Sequence, residues 1–268
     1  MAKSEFYEDT APDFLELASE QRISIIFRLL EEKSRVSTMA KKLDVTAQEV
    51  SRNFDRLSNA GLVKKERDGY FHLTTFGKAV CSQIPSLSFL SKNRKYFEDH
   101  YFGNIPTKFI QRIGALENTI HVEGVVKVLD NWKSIYKNAN EYVFDIISEV
   151  PLDITEQLLK RVKAGVSYQN IISENATIPK GRKKLFEKLG YYELLETDKI
   201  RRRMKKNVTV SVIINEKDAA VMFPTKNGDP DLREMFFGHD TLFHEWCLDY
   251  FRYSWSISDT FREYKLQE

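Results

Sequence analysis

The stretch from Thr46 to Gly69, TAQEVSRNFDRLSNAGLVKKERDG, constrains the chain more than any other. Thr46 followed three residues later by Glu49 is the signature of a capping box at a helix start. Val50, Phe54 and Leu57 then recur at i, i+4 and i+7, one apolar stripe of a helix. Asn59-Ala60-Gly61 ends it, with Gly61 suited to a left-handed C-terminal cap. Two alternating runs follow, LVKKER and YFHLT, joined by Asp68-Gly69, a strong hairpin signal. Upstream, residues 19–34 carry Ser19 as a cap and place Ile23, Ile26, Phe27 and Leu30 at helical spacing, expected to face inward. Residues 36–43 give a second short helix with Met39, Ala40 and Leu43 inward, and Asp44-Val45 the turn. Residues 75–83 return to a helical pattern. Three helices and then a two-stranded ribbon make a winged helix-turn-helix, expected over residues 10–84.

The helix after Thr46 has a polar side opposite its stripe: Gln48, Ser51, Arg52, Asp55 and Arg56. Gln, Arg and Ser carry donors and acceptors that match base edges in the major groove. Lys64, Lys65 and Arg67 on the ribbon are charges suited to phosphates, with Tyr70 and His72 on the returning strand. The formal net charge of the chain is only +2, so distribution matters more than total. Residues 1–32 carry three basic and eight acidic side chains, whereas residues 33–78 carry ten basic and five acidic. The basic stretch coincides with the helix and ribbon.

Residues 19–84, through the phrase EVSRNFDRLSNAGLVKKERDGYFHLTTFGKAV, resemble winged-helix regulators of the broad ArsR or MarR type, archaeal or bacterial. The resemblance implies double-stranded DNA as partner, with Thr46, Gln48, Ser51, Arg52, Arg56, Lys64, Lys65, Arg67 and Tyr70 at the interface. The alternative is a non-enzymatic adaptor that uses a winged helix to bind protein. A homodimer is expected, because one recognition helix makes a weak site and twofold symmetry doubles it.

Beyond residue 84 the pattern changes. Pro85 and Pro106 punctuate a helical connector over 85–119. Residues 120–139 read as helix, EYVFDIIS at 141–148 as a strand, and Pro151-Leu152 opens a helix to Lys163. SYQNIIS at 167–173 is a second strand, so this unit predicts a parallel pair with a helical crossover. A helix over 181–190, strands over 208–215 and 219–225 turned by Lys217-Asp218, and a helix over 239–255 complete an α/β domain with a mixed sheet at 120–268. The whole is α+β: winged helix first, α/β domain second.

That order resembles a phospholipase-D-like half-domain, as found behind winged helices in archaeal TrmB-type, sugar-responsive regulators. FLSKNRKYFEDHYFGNIPTKFIQRIGALEN resembles the segment opening the output domain of methanogen-type regulators. The resemblance implies a transcription regulator whose second domain senses a ligand or mediates assembly. The departure is chemical. Phospholipase D enzymes need His-x-Lys with a following Asp; NEKDAAVMFPT has no His, and His239 is followed by Asp-Thr. No hydrolase activity and no enzyme are expected.

Other constellations bound the expectation further. His239 and His244 lie at i and i+5, about 140° apart on a helix, so they do not share a ligand face and no metal is expected. No cofactor is expected, since GRKKLFEKLG lacks phosphate-loop spacing. Two distant cysteines, Cys81 and Cys247, fit a reducing compartment. MAKSEFYEDTAPDF has no signal-peptide core and no run approaches the ~20 apolar residues of a membrane span, so a cytoplasmic protein is expected. Tyr142, Asp145 and Ser148 on the first strand of the second domain are candidate effector contacts, Asp145 equally a satisfied interior group. RRRMKK at 201–206 is expected as a solvated loop, with Arg201, Arg202 and Arg203 candidates for an anionic effector. Gly190-Tyr191-Tyr192 and the aromatics Phe236, Phe237, Trp246, Tyr250, Phe251 and Trp255 are expected in a core or a dimer face rather than a pocket wall.

Overall fold

The structure, a computed structural model, describes residues 3–149, 152–228 and 231–266. They fall into two compact units, Met1–Pro85 and Ser86–Glu268. The first holds α1 (Lys3–Leu17), α2 (Glu20–Glu31), α3 (Val36–Leu43), α4 (Ala47–Asn59), β1 (Val63–Lys65), β2 (Phe71–Leu73) and α5 (Thr75–Cys81). This is the expected winged helix, preceded by one further helix.

Each boundary has a local cause. Ser19 caps α2, and Thr46 and Glu49 form the full reciprocal capping box of α4. Gly61 takes the left-handed conformation (φ 71°) that ends α4 without a Cβ clash. Val50, Phe54 and Leu57 are fully buried, and the Phe54 ring stacks on Phe71 at 4.0 Å, tying the helix to the ribbon. Phe54→Ala would cost about 3–5 kcal/mol at such a site. Val63 pairs with Leu73, Lys64 with His72 and Lys65 with Phe71, the two strands closed by the Asp68-Gly69 turn. Ser34 bridges to Phe71 through two backbone bonds of 3.1 and 2.8 Å, adding a third rung. Thr74 fastens the ribbon at its root. Its hydroxyl donates to the Gly61 carbonyl (2.6 Å) and accepts from the Gly77 N–H (2.9 Å), and its N–H donates to the Leu62 carbonyl (3.0 Å). A Cβ at Gly77 would lie 2.1 Å from that Leu62 oxygen, so the approach requires glycine.

One register differs from expectation. α2 buries Arg22, Ile25, Ile26 and Leu29, while Phe27 and Leu30 are exposed and Ile23 half-buried. The helix is turned by a residue because Arg22 reaches back to the last carbonyls of α1, donating to Glu16 O (2.8 Å) and Leu15 O (3.0 Å).

The second unit comprises α6 (Ile84–Lys92), α7 (Tyr96–Asp99), α8 (Thr107–Ile110), β3 (Ile120–Glu123), α9 (Val125–Asn138), β4 (Tyr142–Glu149), α10 (Leu152–Lys163), β5 (Ser167–Thr177), α11 (Arg182–Lys188), α12 (Tyr191–Leu195), β6 (Ile200–Lys205), β7 (Ser211–Asn215), β8 (Ala219–Met222), β9 (Glu234–Gly238), α13 (Thr241–Ser256) and β10 (Asp259–Thr260). Its described strands form one eight-stranded sheet, ordered β10-β6-β5-β4-β7-β8-β9-β3. β4 runs parallel to β5 and β5 to β6; the other pairings are antiparallel, so the sheet is mixed as expected. α9 and α10 pack with α11 and α12 on one face, around Trp132, Ile135, Leu158 and Phe186. α6–α8 and α13 cover the other, around Phe109, Phe243, Trp246 and Phe251. The connector helices thus belong to this second core, and Phe236, Trp246, Tyr250 and Phe251 are packing residues; Trp246 Nε1 donates to the Phe109 carbonyl (3.0 Å).

Three further expectations are corrected. Residues 120–139 are not one helix: Ile120–Glu123 is edge strand β3, paired with β9, and Gly124 at φ 103° breaks it from α9. β9 itself pairs β8, where no strand was expected. RRRMKK is no loop but the body of β6, held between β5 and β10. Pro151 lies outside the described residues.

Candidate nucleic-acid interface

α4 presents Gln48, Arg52, Asp55 and Arg56 to solvent, with Ser51 half-buried. Lys64, Lys65 and Arg67 are exposed on the adjoining ribbon. Among the described residues, Arg52, Lys64 and Arg67 have no ion-pair partner. Lys65 lies 5.6 Å over the Phe71 ring, its stem covering the ribbon while the charge reaches water. These cations are therefore available to a polyanion.

Other expected contacts are already engaged. Arg56 holds the Glu16 carboxylate of α1 bidentately, at 3.0 and 2.7 Å. That pair keeps the Glu16 carboxyl below its ordinary range and raises Arg56. Its charge is neutralised on the helix face where a base-reading side chain was expected. Thr46 is bound up in the cap: its N–H and hydroxyl donate to the Glu49 carboxylate (2.9 and 2.7 Å), which holds that carboxyl below its usual range. Tyr70 is half-buried under two cations, with the Arg35 guanidinium 4.5 Å and Lys33 Nζ 5.0 Å from its ring. Arg35 and Lys33 were not singled out in the sequence. The signal for them was the Lys33-Ser34-Arg35 segment, which the Ser34 rung brings beside the ribbon. Lys33 also pairs with Glu66 at 2.8 Å, so Arg35 is the freer of the two.

The residues considered for an effector separate. Side chains alternate along a strand, so Asp145 faces the α9–α10 core while Tyr142 packs against the α13 core. The three therefore do not line one crevice. Ser148 Oγ is buried and, among the described residues, finds no hydrogen-bond partner. Asp145 is fully buried and accepts from Tyr136 Oη (2.6 Å), Tyr168 Oη (3.1 Å) and Asn170 Nδ2 (2.6 Å), side-chain rather than backbone donors. Burial pushes its carboxyl up to about 6, against the pull of those three bonds. Arg201 is exposed. Arg202 donates to Glu263 (3.2 Å) and Arg203 to the carbonyls of Trp255 (3.0 Å) and Ser258 (2.9 Å). His244 is half-buried with its Nε2 2.7 Å from the Asn215 carbonyl oxygen, and His239 stands before Asp240, the cap of α13. No helix among the described residues is long and apolar enough to cross a membrane.

Comparison with solved structures finds loose overall likenesses. TrmBL2, an archaeal chromatin protein described as showing a novel mode of DNA binding, is 10% identical over 97% of this chain and 100% of its own, with a TM-score of 0.43. Nuc from Salmonella typhimurium, a phospholipase D family member, is 14% identical over 55% of this chain and 99% of its own (TM-score 0.39). An O-methyltransferase family protein from Burkholderia thailandensis is 12% identical over 75% of this chain and 62% of its own (TM-score 0.28). At such scores none of them bears on function. Among curated proteins, none matches the sequence. The winged-helix part is different: residues 13–94 match the family described as HVO_A0261 N-terminal domain.

Proposed function

We propose that this chain is a sequence-specific DNA-binding transcriptional regulator, archaeal in type, acting as a homodimer in the cytoplasm. The observation that carries the reading is the joint exposure of Gln48 and Arg52 on α4 and of Lys64, Lys65 and Arg67 on the ribbon, with Arg52, Lys64 and Arg67 in no ion pair among the described residues. An amphipathic helix seated by Phe54 offers its polar face to a major groove while the ribbon tracks the flanking phosphates. Arg56, held by Glu16, contributes little to base reading. The second unit senses a ligand or mediates dimerisation, and the reading includes no catalytic step.

Fluorescence-anisotropy titration of the chain on its own upstream DNA tests this. Tight, sequence-selective binding is expected, and Arg52→Ala should lose about 1–3 kcal/mol of discrimination at one base pair. Two half-sites about one helical turn apart should be protected together. A folded chain that binds no DNA at any salt sinks the reading and leaves the adaptor. A bare phosphodiester substrate should be left uncleaved by the same preparation.

A further inference from the structure

Between α10, α11, α12 and the strands β4–β6 lies a cavity of about 40 Å³. Its walls are mixed. Ile147, Leu158, Ile172 and Phe186 make an apolar side and Arg182 and Arg202 a cationic end, with the polar groups of Tyr168, Asn170 and Tyr191 also lining it, so Tyr191 does line a pocket, contrary to expectation. Arg182 is 2% exposed, an unusual place for a guanidinium. Its Nη1 donates to Glu263 Oε1 (2.7 Å), and Arg202 Nη1 donates to Glu263 Oε2 (3.2 Å). One carboxylate thus serves two arginines with one oxygen each. Among the described residues, the buried Arg182 Nε finds no hydrogen-bond partner. A buried cation with an unmade N–H bond is costly.

Nearby groups do not supply that acceptor. Asp145 stands behind the wall, its oxygens taken by Tyr136, Tyr168 and Asn170 rather than by either arginine. Glu263 comes from the chain's C-terminal segment, which crosses the edge of the sheet through β10 and lays Phe261 3.3 Å beneath the Arg202 guanidinium. The Glu263 side chain is 42% exposed while its arginine partners are 2% and 7% exposed. The cations are built in; the anion arrives from outside.

We propose that this cavity is the regulator's effector site, that it takes a small carboxylic acid with an apolar body, and that Glu263 is an internal stand-in which the acid displaces. The arginine pair receives the carboxylate bidentately, Arg182 Nε gains its missing acceptor, and the apolar wall receives the hydrocarbon. With the C-terminal segment in place the cavity holds little more than one water, so the acid enters as the segment lifts. The apparent affinity is reduced by the fraction of chains with the segment closed.

This rests on the regulator reading for its purpose, and its test uses no DNA, so each can fail alone. Isothermal titration of the full chain with hexanoate and benzoate, against hexanamide and benzamide, reads the charge requirement. The acids should bind and the amides should not. Glu263→Gln, which removes the competing charge, should bind the acids about tenfold more tightly. Glu263→Asp, which keeps the charge on a shorter arm, should give an intermediate affinity; it also guards against a fold defect in the first variant, which circular dichroism would reveal. Acids and amides binding alike would overturn the proposal. So would no binding of either acid to folded wild type, Glu263→Gln and Glu263→Asp chains.

Discussion

Two basic runs, Val63-Lys64-Lys65-Glu66-Arg67 on the ribbon and Arg201-Arg202-Arg203 on β6, look alike as charge and are used in opposite ways. The ribbon is a two-stranded edge with one covered face, and Lys64, Lys65 and Arg67 stand in water. β6 lies between β5 and β10, so neighbours reach its cations from both sides. Arg202 goes to Glu263 and Phe261, Arg203 to two backbone carbonyls, and Arg201 alone of the three is exposed. A basic side chain is available to a polyanion where the fold brings no carboxylate, carbonyl or ring to it. That depends on sheet position, which a charge count does not contain.

The inward arginines should matter most to stability. Arg202→Ala should lower stability by about 3 kcal/mol, since it removes one of two cations serving a shared carboxylate and opens space beneath it. Urea denaturation reads this, and a neutral result would place β6 with the ribbon. Next comes the buried carboxyl on the same core face. Asp145 is raised from 3.8 to about 6 by burial. Between those values the folded chain holds a proton that the unfolded chain has released, so this group's contribution to stability falls as pH rises from about 4 to 6. Asp145→Asn abolishes that slope. Stability of the variant minus wild type should therefore increase by about 3 kcal/mol across the window, and a constant difference would refute the burial-raised carboxyl.

The ribbon should behave the other way round. Lys64→Ala/Lys65→Ala should leave the denaturation midpoint in place while the slope of log K against log salt on DNA becomes shallower by about 2. An unchanged slope would remove both lysines from the phosphates. Smallest of all is Arg56→Ala, expected to change DNA affinity by about twofold at most, because its charge is answered by Glu16. Glu16→Gln sharpens the point, since it should free Arg56 and steepen the salt slope by about 1.

The ribbon, the capping box and the stop at Gly61 are legible in sequence because each is set by residues adjacent in the chain. The same holds for β4, β5 and α13, whose apolar patterns are long. β3 and β6 were not legible, and the reason is shared. β3 is four residues long and is a strand because β9 pairs with it, while β6 carries the charges of Arg202 and Arg203 inward to partners 61 and 52 residues away. The turn of α2 by one residue depends on Arg22 finding the end of α1. Asp145, Tyr142 and Ser148 looked like one site because they are close in sequence; strand alternation parts Asp145 from Tyr142, and Ser148 lies six residues along the strand from Tyr142. On α4 and the ribbon the exposure of Gln48, Arg52 and the ribbon cations was legible, but the Glu16 partner of Arg56 came from a helix with no marked pattern.

The Thr74 hydroxyl and N–H lock the Gly61 and Leu62 carbonyls and the start of α5 into one knot at the root of the ribbon, and Leu62 N–H closes onto the Leu57 carbonyl at the end of α4 (2.9 Å). Helix and ribbon consequently move as a single body. Little conformational freedom is left to lose when a partner is met, so on the proposed DNA-binding reading encounter geometry would be set before contact and mismatched grooves rejected by shape. Association should then be limited by diffusion and orientation rather than by any rearrangement of the ribbon.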